Sequence, residues 1–253
     1  MDQIARTREF WNTTPCDGEE QYRLRARFRY GKEPWLPALL DRIAAAGHRN
    51  IVEVGCGQGT DGITLCGKLS AGTRYTGVDL SDVSVGRAQA DAKDMAAELT
   101  VQPLFRVDHA EHLGFHDASF DAVLSVGALH HSASTEKAIA EVGRILAPGG
   151  TAYVLLYRTW APKLLVAHAL RGVQAVIDRI LGTDRAVYHL LRKRRPAEGA
   201  FGTMLYECFG VPILRSYTAG GMRTLFAGFK SVTLTAYGTG PATGYLWLAT
   251  AKK

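Results

Sequence analysis

Three glycines at alternate positions, Gly55, Gly57 and Gly59, follow directly on the apolar run Ile51–Val54, with Glu53 two residues ahead of the first. A buried strand that runs into such a loop and then into a helix lets backbone approach a ligand that side chains would exclude. The chemistry this suggests is the holding of a nucleotide-type ligand, although similar loops occur in nicotinamide and flavin proteins and as plain turns. Asp79 stands 20 residues after Gly59, the separation that one strand-helix-strand unit requires, and a carboxylate there can accept both hydroxyls of a ribose. Asp108 closes a third apolar run, and a fourth, Phe120–Val126, leads into Gly127 and the pair His130 and His131. Each acid alone would be a solvated cap or turn residue. In series they direct four strand ends at one crevice, with imidazoles beside it that could take a proton.

Other histidines form a second pattern. His109, His112 and His116 have the spacing of one helical face, but Gly114 and Asp117-Ala118-Ser119 predict a connecting loop, and no metal is expected there. Cys16, Cys56, Cys66 and Cys208 form no close pair and are too few for a disulfide scaffold, which fits a reducing, cytoplasmic setting.

The elements that would position these residues alternate. Short β-rich runs are expected at Ile51–Val54, Arg74–Val78, Val101–Val107, Phe120–Val126 and Thr151–Tyr157, with helices at Thr60–Leu69, Val83–Leu99 and Thr135–Leu146 between them. This rhythm predicts parallel strands joined by crossovers, hence a Rossmann-like doubly wound α/β sheet with its ligand at the carboxyl ends of the strands. After Tyr157 the rhythm breaks into a largely helical stretch. Two last runs, Ser231–Tyr237 and Gly244–Ala251, flank a Gly/Thr/Pro-rich turn and predict an antiparallel hairpin at the sheet edge.

The 253 residues, 47% hydrophobic and 21% charged, can bury a full core, which excludes a disordered or fibrous chain. A net charge of +6 favours an anionic partner only mildly, and nucleic acid is not expected. Met1–Phe10 lacks the apolar stretch of a secretory signal. Ala161–Leu181 holds too many charges to span a membrane. It reads as an amphipathic cap helix whose stripe Val173, Val176, Ile177 and Ile180 would be buried. Arg23, Arg25, Arg27, Arg29 and Lys32 read as a solvated basic face.

The run Glu53-Val54-Gly55-Cys56-Gly57-Gln58-Gly59, then Gly77-Val78-Asp79-Leu80-Ser81, Asp108, Phe120-Asp121-Ala122-Val123 through His130-His131, and Arg144-Ile145-Leu146-Ala147-Pro148-Gly149-Gly150 resembles the class I S-adenosylmethionine-dependent methyltransferases of the type 11 group. The resemblance covers about 100 residues in the family's order and spacing. It implies a seven-stranded sheet with the last strand antiparallel, and S-adenosylmethionine as cofactor. It places Gly55, Gly57 and Gly59 against the methionine and ribose, Glu53 near the ammonium end and Asp79 on the ribose hydroxyls. Leu80 would pack on adenine and Asp108 face its amino group with His109 alongside, where the family often has a small residue. Val126 and Gly127 would lie near the sulfonium.

The N-terminal segment, with Phe10-Trp11-Asn12 and Arg29 to Trp35, looks like the helical lid of some type 11 members, and Tyr22 and Tyr30 are candidates to close on the cofactor's carboxylate end, or to be aromatic packing. The expected organisation is a lid over 1–47, a cofactor core over 48–157 and 218–253, and a helical cap over 158–217 on the substrate side. Trp160, Tyr188, Phe201, Met204, Tyr206, Phe209 and Tyr217 offer an apolar or aromatic pocket, and Arg192–Arg195 an anion contact. The implied function is methyl transfer to an O, N or C atom of a small molecule in specialised metabolism. His130 and His131 are the candidate catalytic residues. An RNA or protein methyltransferase, or a non-methylating member catalysing a rearrangement or cyclisation, are the alternatives. The oligomeric state is left open.

Overall fold

The computed structural model describes residues 3–15, 21–193, 209–238 and 244–253. Seven strands, β1 (Asn50–Val54), β2 (Arg74–Asp79), β3 (Leu104–Val107), β4 (Phe120–Val126), β5 (Leu146–Tyr157), β6 (Ser231–Tyr237) and β7 (Leu246–Lys252), form one sheet in the order β3-β2-β1-β4-β5-β7-β6. The first five strands pair in parallel, and β7 runs antiparallel to both neighbours. The turn predicted between β6 and β7 falls at 239–243, outside the described residues. β3 starts three residues later than the apolar run suggests, because Val101 is buried in the approach to the strand and not paired in it.

The central strands β1, β4 and β5 are buried on both faces, which is why they read as unbroken apolar runs, whereas the edge strand β3 leaves Leu104 and Val107 exposed. Successive side chains point to opposite sides. Ile51, Leu124 and Leu155 face one core layer, with Leu36, Leu39, Leu40 and Ile43 of α3 (Leu36–Ala45) and Ile63 and Leu65 of α4 (Thr60–Cys66). Val52, Val123 and Val154 face the other, with Ile139 and Val142 of α6 (Thr135–Ile145) and with Met222 of α9 (Ala219–Leu225) and Phe226 after it. Between β2 and β3 lies α5 (Asp82–Asp94), capped by the Ser81 hydroxyl, which accepts the Ser84 N–H at 3.1 Å.

The flanking segments form a third, smaller core. Phe10 of α1 (Gln3–Thr13) packs with Ala167 of α7 (Pro162–Leu181), Tyr188 of α8 (Ala186–Lys193), Phe209 and Val211. The leader and the stretch after β5 thus support one another above the sheet. α7 turns a different side inward from the one its apolar pattern suggests. It buries Leu164, Ala167 and Gln174, while Val173, Val176 and Ile180 face solvent and Ile177 is half-buried. The Gln174 amide donates to the Phe209 carbonyl at 3.2 Å, so backbone satisfaction in the loop decides which face turns in.

The arginines of α2 (Tyr22–Lys32) also depart from a solvated face. Arg25 is fully buried, donating from Nε to the Thr60 hydroxyl at 2.7 Å and from Nη2 to the Gln58 carbonyl at 3.2 Å, and pairing with Asp91. Arg29 forks onto Asp61, its Nε 2.7 Å from Oδ1. These pairs fasten α2 to the start of α4, just beyond the glycine loop. Arg25→Ala leaves the Asp91 charge without its buried partner and is expected to cost about 3–5 kcal/mol in urea unfolding. A loss below about 1 kcal/mol, the range of a surface pair, would contradict this role.

Candidate active site

The carboxyl ends of β1, β2 and β4 open into a cleft of about 880 Å³. Its floor is the glycine loop. Gly55 donates its N–H to the Val78 carbonyl at 2.7 Å, so the turn after β1 is sewn to the end of β2. All three loop glycines have positive φ, but they serve different ends. A Cβ on Gly55 would lie 2.1 Å from that of Ala128, and one on Gly59 within 2.9 Å of Ala88 and Phe105, so these two allow close packing inside the protein. A Cβ on Gly57 would meet nothing within 4 Å, and Gly57 lines the cleft, so it is the position where backbone is bared to a ligand.

Asp79 lines the cleft and organises it. Its Oδ2 accepts the Gly57 N–H and its Oδ1 the Ser81 N–H, both at 2.8 Å. Burial raises its pKa, and the backbone N–H bonds work against that rise. The remaining lone pairs of the carboxylate can accept vicinal hydroxyls. Leu80, Asp108, His109 and Val126 also line the cleft, as do Gly55 and Gly127. The Asp108 carboxylate is already engaged by its own loop, accepting from His109 N–H (2.8 Å), Gly114 N–H (3.0 Å) and Arg106 (2.8 Å). His109 accepts from the Glu111 N–H through Nδ1 at 3.2 Å. His109 and His112 face each other in an isolated bridge and His116 lies in the loop that follows, so the three share no helix.

Several sequence candidates lie elsewhere. Glu53 is buried beneath the loop and takes the Tyr75 hydroxyl. Burial, with Asp61 nearby, holds its pKa well above the usual carboxylate range. Tyr22 and Tyr30 do not line the cleft: both hydroxyls bond Thr64 Oγ1, at 2.8 and 2.7 Å, and both rings pack on the main core. Trp160 is 68% exposed, and Tyr188 and Phe209 belong to the small core. Phe201, Met204, Tyr206, Arg194, Arg195, Cys16 and Cys208 lie outside the described residues, as do the side chains of Arg192 and Lys193. The sequence reading missed Ile4 and Thr7 of α1 and Ser84 of α5, which close the cleft with Trp11. The Phe10-Trp11-Asn12 leader was the available signal, and Asn12 anchors it by donating to Asp82 at 2.8 Å.

The two adjacent histidines divide. His130 is fully buried, its ring centroid 3.9 Å from that of Tyr157, with no partner for either nitrogen among the described residues. Burial drives its pKa far down, and it acts as packing. His131 lines the cleft and also a second cavity, of about 910 Å³, behind it. Its Nδ1 stands 2.6 Å from the Ile213 carbonyl, which can only accept, so the neutral ring carries its proton on Nδ1 and leaves a lone pair on Nε2. Burial pushes its pKa down to about 4. Trp11, Val126 and Gly127 share with His131 the boundary between the two cavities.

A seven-stranded sheet of this order, with its one reversed strand and a cleft over a glycine loop and a ribose-ready carboxylate, defines the fold of the class I S-adenosylmethionine-dependent methyltransferases. Residues 52–154 match the family model described as a methyltransferase domain. The chain is 32% identical over 154 residues to 27-O-demethylrifamycin SV methyltransferase of Amycolatopsis mediterranei, a match covering 59% of this chain and 52% of that protein. It is 33% identical over 109 residues to norajmaline N-methyltransferase of Rauvolfia serpentina, covering 43% and 36%. The chain thus spans about half the length, or less, of these curated relatives. The crystal structure of magnesium protoporphyrin IX methyltransferase from Synechocystis with bound SAH has the same fold, with a TM-score of 0.58 at 15% identity over 99% of this chain and 94% of that one. Residues 52–154 are therefore similar to methyltransferase domains, and the chain has the fold of the class I S-adenosylmethionine-dependent enzymes. Its residues fit that cofactor: open space over Gly57 and Gly127, free acceptor capacity on Asp79, and the apolar Leu80 beside it.

Two outcomes follow from this geometry. Asp79→Ala is expected to weaken S-adenosylhomocysteine binding about 100-fold in calorimetry, the loss of two hydrogen bonds to a charged acceptor, and unchanged affinity would contradict the contact. For His131, the folded pKa of about 4 lies below the unfolded value near 6.5. Its stabilisation is therefore complete above about pH 6.5 and is lost as pH falls toward 4, about 3 kcal/mol in all. Glu33, Glu53 and Asp79, whose pKa values are raised, act in the opposite sense. The difference between wild type and His131→Gln in urea unfolding isolates the histidine, and parallel pH profiles would contradict it.

Proposed function

We propose that this protein transfers the methyl group of S-adenosylmethionine to a small-molecule acceptor bound in the second cavity. The observation that carries the proposal is the shared boundary: Trp11, Val126, Gly127 and His131 line both cavities, so a donor in one can face an acceptor in the other across a short span. The cofactor supplies a methyl group on a sulfonium, which an acceptor lone pair displaces directly. The protein's work is then alignment and exclusion of water. The glycine loop, Asp79 and Leu80 hold the cofactor, with Asp108 and His109 beside them. α1 closes over the cleft through Ile4, Thr7 and Trp11.

His131 Nε2 accepts the acceptor's proton as the new bond to carbon forms. Its burial keeps the imidazole neutral at neutral pH and makes it a weak base. A weak base matches a hydroxyl that acidifies readily, such as a phenol or enol. In this reading α7 and the segment 211–214 form the substrate-side roof, contributing Lys163, Leu164, Ala167, Val211 and Leu214. A small-molecule acceptor is supported by the relatives, whose names give rifamycin and norajmaline substrates.

Incubation with methyl-labelled S-adenosylmethionine and a library of small phenols, enols and amines, read by mass spectrometry, tests the reading. It predicts a product carrying the label, and absence of both transfer and cofactor binding would sink it. With the acceptor so found, His131→Gln is expected to lower kcat by about 10²–10⁴ while leaving S-adenosylhomocysteine affinity within about twofold. A variant of undiminished kcat would remove His131 from the chemistry.

A further inference from the structure

Glu33 caps the end of α2, lines the second cavity and is 7% exposed. Its Oε2 accepts the Trp35 indole N–H at 2.7 Å, and among the described residues no other hydrogen bond or ion pair reaches the carboxylate. Oε1 is not sealed within the protein as the His130 nitrogens are, which leaves it open to the cavity. Burial raises the Glu33 pKa, and the Trp35 bond with the charges of Lys32 and Lys163 works against that rise. Trp35 and Lys163 line the cavity themselves, so the carboxylate lies among its walls. The Lys163 ammonium is placed over the Tyr245 ring, 4.6 Å from the centroid. Asp61, similarly buried, takes both prongs of the Arg29 fork instead. A carboxylate with a single donor keeps most of its lone pairs for a partner. A molecule filling the cavity displaces water from Oε1 and must then supply a donor of its own or leave a buried acceptor unpaired.

We propose that Glu33 determines specificity in the second cavity: it selects an aromatic acceptor that carries a second hydroxyl, away from the methyl-accepting atom, and takes the hydrogen bond of that hydroxyl on Oε1. That the bound molecule is the methyl acceptor rests on the methyl-transfer reading above; the preference for a donor at Glu33 does not. Glu33 lines the second cavity and not the cofactor cleft, whereas His131 stands at the boundary between them. A diphenol can therefore satisfy both acceptors where a monophenol satisfies one. Trp11, Trp35, Tyr157 and Tyr245 line the same space and supply aromatic surface for its rings. The Trp35 indole also sets the polarity of the site. In Glu33→Gln the same N–H would hold the amide oxygen and turn the NH2 group to the cavity, so an acceptor becomes a donor with little change of shape.

The probes are para,para′-dihydroxybiphenyl and its monomethyl ether, measured by equilibrium dialysis against the full chain, free and saturated with S-adenosylhomocysteine. Wild type is expected to bind the diphenol about tenfold more tightly, the effect of one hydrogen bond to a charged acceptor. In Glu33→Gln the ratio should fall to about one, with the ether within about threefold of its wild-type affinity and S-adenosylhomocysteine within about twofold. Glu33→Met gives the same comparison if Glu33→Gln does not fold. Equal binding of the two probes by wild type, or absence of binding by the diphenol, would overturn the proposal without any variant. A gap that persists in the variant would overturn it as well, since it would show rejection of the ether's methyl group, or a merely structural Glu33, in place of a hydrogen bond. Failure of the wild type to bind S-adenosylhomocysteine would count against the methyl-transfer reading instead, because the ratio in the free protein still reads Glu33.

Discussion

The Asp79 carboxylate is the tie on which the site depends. It receives the Gly57 N–H from the loop after β1 and the Ser81 N–H from the start of α5, joining the two neighbouring strand ends in one rigid turn. A loop of glycines has high conformational entropy when unfolded and little side-chain packing to hold it. Here, backbone bonds to Val78 and a charged acceptor fix it from the side. The same arrangement leaves Gly57 bare toward the cleft and the outer lone pairs of Asp79 available, so the loop's stability and its capacity for a ligand have one cause.

A second level of organisation surrounds that turn. The arginines of α2 lock the helix after the glycine loop, while α1, α7 and the 209–214 segment share a separate small core. The second cavity lies between these flanking parts and the sheet. Its electrostatics follow from burial: His131 is kept neutral, with its lone pair on Nε2.

The centre of the sheet was legible because burial on both faces of β1, β4 and β5 imposes continuous apolar runs, and Gly55–Gly59, Asp79 and Asp108 mark strand ends by type and spacing. What was not legible depended on which way a side chain points. Glu53 follows the strand's alternation into the protein, where Tyr75 donates to it. Tyr22 and Tyr30 turn to Thr64, a partner 34 or more residues away. His130 and His131 are neighbours of one type within a single short 3₁₀ turn, which aims one ring into packing and the other at the cavities. Arg25 looked like one of a solvated row, because its acceptors, Thr60, Gln58 and Asp91, are remote in sequence. On α7 an apolar stripe suggested the buried face, yet contacts to the Phe209 and Val211 carbonyls by Gln174 and Arg171 turn the other side inward. Local pattern specifies the elements, and long-range polar contacts orient them.

The central claim is that donor and acceptor meet where the two cavities join. A crystal structure with S-adenosylhomocysteine bound tests it most directly. The account predicts the ribose hydroxyls on Asp79 and the adenine along Leu80, with the sulfur at the opening bounded by Val126, Gly127 and His131 and facing the second cavity. A ligand bound elsewhere, or a sulfur turned toward α2 with that opening closed behind it, would contradict the account.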